Sequence, residues 1–240
     1  MTLRGLGASP PSSLFYSMNL INWYDAGFCD YDSALFFQQR LHAGVACGDL
    51  HDSVLFQENQ PVITLGRDAK QSSLLWSAQR IADAGIILRQ VERGGDATYH
   101  GPGILVISPI LRFLDYASNV HLYLRMLEET VIRQCAAYGL HGFRKNGKSG
   151  VWLDDGKLSA VGVAVSRSAT MHGLSLNVNP EWTHFSAIVP CGLVGEGVTS
   201  LATHGVYKTV KHARDDFLAA LSEVFGAKLL PGTPVTQEKE

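Results

Sequence analysis

Several things are missing from this sequence, and each absence narrows what it can be. No apolar run among its 240 residues approaches the roughly 18 that a helical membrane span needs. Charged residues are few, at 18%, against a usual share of about 25%. Neither sign dominates, since the formal net charge is −2. No basic cluster marks a nucleic-acid footprint, and none marks a polybasic membrane patch. The four cysteines, Cys29, Cys47, Cys135 and Cys191, match no zinc-ligand spacing and contain no C-x-x-C pair. A chain of this length needs no disulfides to hold a core, so free thiols in a reducing, cytoplasmic setting are expected. There is no internal repeat and no low-complexity linker. Met1 to Ser17 lacks a cationic start followed by an apolar core, so a secretory signal is not expected. Residues 1–18 read as a flexible extension, with Met18 as an alternative start. Their Arg- and Ser-bearing, acid-poor composition leaves organelle targeting open.

What is present is a globular composition, 46% apolar, enough for a sizeable core. One domain is expected over 19–228, followed by a tail over 229–240. Asp30 to His42 reads as a helix capped by Asp30, with Tyr31, Ala34, Leu35, Gln38 and Leu41 on one face. Short strands follow at Ser53 to Phe56 and Val62 to Leu65. Ser73 to Ala84 reads as a helix and Ile86 to Glu92 as a strand. Leu105 to Arg112 is a strand in which Pro109 implies an edge or a bulge. Ser118 to Tyr138 carries the strongest helical stripe: Val120, Leu124, Leu127, Val131, Cys135 and Tyr138, stopped by Gly139. A hairpin turns at Asp154-Asp155-Gly156 between Val151–Leu153 and Leu158–Val165. Leu174 to Val178 is a strand, and His212 to Phe225 is a helix ended by Gly226. Strands outnumber helices without regular alternation. That pattern means α+β, with a mixed, mostly antiparallel sheet flanked by helices.

Four segments could carry chemistry. Arg93 to Gly103 packs four glycines and a proline among Arg93, Asp96, Thr98, Tyr99 and His100. Glycines let a backbone approach a ligand closely; the plainer alternative is a structural loop with a capping histidine. Gly156 to Gly162 holds Lys157, which alone reads as a solvated edge charge that discourages strand pairing. His172 to Asn177 reads as a turn feeding a strand. Ile188 to Gly192 holds Cys191 between Pro190 and Gly192, ahead of Gly195-Glu196-Gly197. Free cysteines are usually buried and inert, and Cys135 fits that on its apolar stripe. Cys29 and Cys47 flank the first helix with no chemical company. A reactive thiol needs a rigid position, access and a nearby cation. Cys191 has the setting, but the sequence does not show the cation.

In this order and spacing the segments resemble the octanoyl-acyl-carrier-protein–protein octanoyltransferases, the lipoate-protein ligase B family. The resemblance runs from about Tyr24 to Leu201. It is strongest at Arg93–Gly103, Gly156–Gly162, Met171–Asn177 and Ile188–Leu201. It implies the fold shared by biotin and lipoate ligase catalytic domains. It also implies Cys191 as the acyl-carrying nucleophile and Lys157 as its partner. The substrate pocket would comprise Arg93, Gly94, Gly95, Asp96, Ala97, Thr98, Tyr99 and His100. Ala160, Val161 and Gly162 would line it from the Lys157 strand, with Gly173, Leu174 and Ser175 completing it. The implied donor is octanoyl-acyl carrier protein, and the implied acceptors are lipoyl-domain proteins. Neither cofactor nor metal is implied, nor a nucleic-acid or membrane partner, and a monomer is expected.

Three positions depart from the family pattern. Asp96 and Ile104 stand where glutamines are usual, and Asn59 stands where a histidine is usual. Three alternatives remain from the residues themselves. An ATP-dependent lipoate or biotin ligase shares the fold, although such an adenylating ligase would not require Cys191. A cysteine hydrolase would pair Cys191 with His172 or His100. A non-catalytic lipoyl-domain binder would keep the fold alone.

Overall fold

The computed structural model of the chain describes residues 19–189 and 197–232. The expected N-terminal extension and Cys191 lie outside the described residues, as do residues 233–240. In chain order the regular elements begin with β1 (Asn19–Cys29), α1 (Tyr31–Cys47), β2 (Asp52–Asn59) and β3 (Val62–Leu65). Then come α2 (Ala78–Asp83), β4 (Ile87–Gln90), β5 (Ala97–His100), β6 (Ile104–Ile110) and α3 (Val120–Ala137). The hairpin strands β7 (Gly150–Leu153) and β8 (Gly156–Ser166) follow, then β9 (Ala169–Asn177), α4 (Val210–Phe225) and β10 (Ala227–Pro231).

Seven strands form one sheet in the order β10-β1-β2-β6-β9-β8-β7, and β4-β3-β5 form a second. The large sheet is parallel at β10-β1-β2 and antiparallel from β2 onward. The structure is therefore α+β with a mixed, mostly antiparallel sheet. Helix ends follow side-chain chemistry. Asp30, Asn119 and Thr209 each accept a backbone N–H from the first turn of α1, α3 and α4. Gly48 and Gly226 end α1 and α4 in the left-handed region.

Both faces of the large sheet are covered. Val54 and Phe56 of β2 face α3 and α4, packing with Leu127, Val131, Phe217 and Leu221. Leu55, one step along, packs with Leu41 and Val45 of α1. β6 offers Leu105 and Ile107 to the helical side and Ile104 and Val106 to the small sheet. Being buried on every side, it reads as a nearly continuous apolar run.

Tertiary pairing overrides several local expectations. The helix expected over Ser73–Ala84 is α2 alone, capped by Ser77. Before it, Leu74 is extended and bridges Ile188, and Leu75 N–H donates to Ala187 O at 2.8 Å. Pro109 is neither at an edge nor in a bulge of β6, which lies between β2 and β9. The β6–β9 ladder stops at Ile107↔Leu174. Pro109 O accepts from the Thr170 hydroxyl on the β9 side, so its donorless nitrogen faces a place where no ladder bond is required. His172 is not in a turn but inside β9, which begins at Ala169 and pairs with β8 over its length. Its φ of 58° keeps a turn-like backbone within the strand. The glycine-rich segment after Arg93 contains β5, antiparallel to β3. β10 spans the boundary expected between residues 228 and 229, pairing with β1 as far as Trp23↔Pro231. No helix among the described residues is long and apolar enough to cross a membrane.

Candidate active site

A cavity of about 410 Å³ lies where β8 and β9 meet the small sheet and α3. Six of the expected substrate residues line it from the glycine-rich segment: Arg93, Gly94, Gly95, Asp96, Thr98 and His100. Ala160, Val161 and Gly162 line it from β8, and Gly173, Leu174 and Ser175 from β9. Ala97 and Tyr99 do not. They sit on the opposite side of β5, packed with Ile63, Ile104 and Ile188, where the Tyr99 hydroxyl meets His184 Nδ1 at 3.0 Å. Both border a smaller neighbouring cavity that also touches Lys157.

Arg93 acts as a buried strut. Its guanidinium donates to Thr64 O at 2.9 Å, to Thr64 Oγ1 at 2.8 Å and to Gly94 O at 3.1 Å. Gly94 N–H then donates to Val163 O at 3.0 Å, fastening the segment to β8. Gly162 permits this approach, because a Cβ there would stand 2.8 Å from Gly94 O. Burial drives the His100 imidazole pKa down to about 3, with Arg93 and His172 adding to the effect. Burial and then Arg93 take His172 down to about 4. Both rings are neutral near pH 7. Of the three positions that depart from the family pattern, only Asp96 lines the cavity. Asn59 is buried against Gln57 and Cys29 O, and Ile104 belongs to the core beneath the small sheet.

Lys157 is no edge charge. It is 6% exposed and borders both cavities. Its Nζ lies 5.0 Å from the centre of the Trp152 ring, a cation–π distance. Its backbone joins β8 to the chain that follows the 190–196 segment. Lys157 N–H donates to Gly197 O at 2.9 Å, and Thr199 N–H donates to Lys157 O at 3.1 Å. On the other flank, Val189 N–H donates to Ser73 O at 2.9 Å. Ile188 and Val198 line the smaller cavity together with Lys157. Of the remaining cysteines, Cys135 is pushed up to about 12 by burial. Cys29 is pushed up to about 11 by burial and by Asp30 and Asp25. Cys47 is exposed and bonded to Asp49. None of these three lines the main cavity.

Residues 30–226 match the lipoyl protein ligase A/B catalytic domain. An octanoyltransferase of Chloroflexus aggregans is 41% identical over 212 residues, covering 87% of this chain and 96% of that one. The chain belongs to the octanoyltransferase family. It is an acyltransferase on the lipoate ligase fold. A putative lipoate protein ligase from T. acidophilum, solved with lipoic acid, superposes with a TM-score of 0.68. It shares 16% identity and covers 92% of this chain and 90% of that one. A lipoate-protein ligase A bound with ATP also superposes at 0.68, with 15% identity over the same shares.

The structure brings further polar residues to the cavity and its surroundings that the sequence did not point to. Tyr31, Gln38, Gln57, Thr64 and Ser108 give the cavity a polar wall. Gln38 Oε1 accepts His172 N–H at 2.7 Å, while its Nε2 donates to Ser108 Oγ at 2.9 Å. This bracket holds the positive-φ backbone of His172. Glu128 is buried on α3, taking Arg125, Arg144 and the Gly150 N–H. Both were detectable as polar residues inside helical stripes that are otherwise apolar.

Proposed function

We propose that the enzyme moves an octanoyl group from octanoyl-acyl carrier protein to the lysine of a lipoyl domain, through a thioester on Cys191. The observation that carries this reading is a buried lysine beside a roomy, partly apolar cavity. Its backbone is bonded to the chain leading out of the Cys191 segment. The Cys191 thiolate, stabilised by the Lys157 ammonium, attacks the thioester carbonyl. The carrier's C–S bond breaks, and the carrier leaves as a thiol after taking a proton from the Lys157 ammonium, which becomes neutral. The acceptor amine then attacks the Cys191 thioester. Its surplus proton passes to Lys157 in its neutral form, the new C–N bond forms, and Cys191 departs as thiolate. Thioester exchange is close to thermoneutral and amide formation is downhill, so no nucleotide enters the balance. Val120, Leu124, Val161 and Leu174 give the acyl chain an apolar lining.

One observation favours this over a hydrolase dyad. The His100 and His172 rings are held neutral by burial and by Arg93, whereas a thiolate–imidazolium pair needs the charged ring. The choice of Cys191 as the thiol is supported separately, because Cys29, Cys47 and Cys135 lie away from the main cavity. The acting unit is proposed to be a cytoplasmic monomer. The test is transfer from octanoyl-acyl carrier protein to an apo lipoyl domain without ATP. Full turnover is expected, and a strict need for ATP with free octanoate would make the enzyme a ligase. Lys157→Ala is expected to slow both half-reactions, and unchanged kinetics would remove Lys157 from the chemistry.

A further inference from the structure

Beside Lys157, but outside both cavities, three polar side chains close on one another across a turn and a strand. Asp155 sits in the β7–β8 turn, Thr199 in the stretch after the 190–196 segment, and His204 a short turn later. Thr199 Oγ1 donates to Asp155 Oδ2 at 2.9 Å. His204 Nε2 reaches Asp155 Oδ1 at 2.8 Å and Thr199 Oγ1 at 3.2 Å. Burial pushes the Asp155 carboxyl up, but the bonds from His204 and Thr199 outweigh it and hold it below the usual range.

The backbone beneath this triad is built for contact. A Cβ on Gly156 would stand 2.7 Å from Gly197 C, and one on Gly197 would stand 2.5 Å from Asp155 O. Any side chain at either glycine would drive the two strands apart. Asn177 Nδ2 donates to Thr199 O at 2.9 Å, so β9 also holds this stretch. Both backbone groups of Lys157 are engaged by Gly197 and Thr199. A bonded triad on the rim of such a contact is more than a surface ion pair, because Thr199 is 1% exposed and its hydroxyl would be costly to leave unpaired.

We propose that Asp155, Thr199 and His204 form a positioning clamp that holds the Gly197–Thr199 stretch in register on Lys157, and so fixes the place of Lys157 beside the cavity. None of the three is a catalytic residue. They act through the backbone of Lys157. This inference rests on the transfer reading given above.

The experiment compares Thr199→Val, which keeps the shape and removes the hydroxyl, with Thr199→Ser, which keeps the hydroxyl. Octanoyl transfer is followed with octanoyl-acyl carrier protein and an apo lipoyl domain. Thr199→Val is expected to lower kcat tenfold or more with KM for the donor within twofold, and Thr199→Ser to recover most of the loss. His204→Ala removes a less buried member and is expected to lower kcat in the same way, which keeps the test open if Thr199→Val does not fold. Wild-type kcat in both Thr199→Val and His204→Ala, or a loss that Thr199→Ser fails to recover, overturns the clamp. Octanoyl loading of the wild-type enzyme is read by intact mass in parallel. Normal loading with unaffected variants refutes the clamp alone, whereas absence of loading refutes the transfer reading beneath it.

Discussion

Gly150 and Lys157 are fitted to each other across the β7–β8 hairpin. A Cβ on Gly150 would stand 2.6 Å from Lys157 Cε and 3.3 Å from its Nζ, and would also overlap Ser159 O. Gly150 adopts a φ of 135°, a conformation that side chains resist. Gly150→Ala is expected to displace the lysine and to destabilise the fold by about 1–3 kcal/mol. Transfer should fall by at least about tenfold, equivalent to ~1.4 kcal/mol on the barrier. Single-turnover kinetics beside a urea melt would separate the two effects. Wild-type transfer in a folded Gly150→Ala enzyme would mean that the lysine does not need this space.

Glu128 extends that relationship into α3. Its Oε1 accepts the Gly150 N–H at 2.9 Å, while its Oε2 meets Arg125 at 2.6 Å and Arg144 at 3.1 Å. The carboxylate is buried, but both arginines are partly in water, which screens the pairs. Glu128→Gln should therefore cost only about 2 kcal/mol. It should also slow transfer, because the Gly150 backbone loses its charged acceptor. Urea midpoints check the first part. A variant with wild-type stability and rate would show that Glu128 is not holding the hairpin.

The two buried histidines set a pH dependence of stability. In the folded protein their pKa values are lowered to about 3 and about 4, against about 6.5 in an unfolded chain. Below about pH 6.5 only the unfolded chain takes up these protons. Stability is thus complete above that pH and declines as the pH falls toward 4, by ~1.4 kcal/mol per pH unit for each ring. Urea melts at pH 7.5, 6 and 5 should show the decline, and His172→Gln should make it shallower. An identical slope in that variant would contradict the burial account.

Ala160 faces Ser175 across the β8–β9 ladder and lines the cavity. Filling its place should shorten the acyl chain that the enzyme prefers. Each buried methylene contributes about 0.8 kcal/mol, roughly fourfold in kcat/KM. The wild type should favour octanoyl over hexanoyl donors by about an order of magnitude, and Ala160→Leu should erase or reverse that ratio. An unchanged ratio would place the acyl chain elsewhere.

The legible parts of this molecule were those with a period. The stripe of α3, the Asp30 cap of α1, the Gly226 stop of α4 and the Asp154-Asp155 turn could be read directly, because each is decided by neighbours in sequence. β1 and β10 could not, since their parallel pairing joins the two ends of the described chain. Neither carries a clean alternation of burial. Leu74 left its helical pattern for a partner more than a hundred residues away. The same division holds in the site. The family resemblance marked the walls that the cavity uses, but it named neither Gln38 nor Glu128, whose one mark in the sequence is a polar side chain inside an apolar stripe. Lys157 looked like an edge residue because the stretch that covers it, Gly197–Thr199, arrives from beyond the next strand.

The central claim is the thioester on Cys191, and intact-mass analysis tests it most directly. The enzyme is incubated with octanoyl-acyl carrier protein, with and without an apo lipoyl domain. The account predicts one octanoyl adduct that maps to Cys191, disappears when the acceptor is added, and never forms in Cys191→Ser. An adduct that persists in Cys191→Ser, or full transfer by that variant, would contradict it.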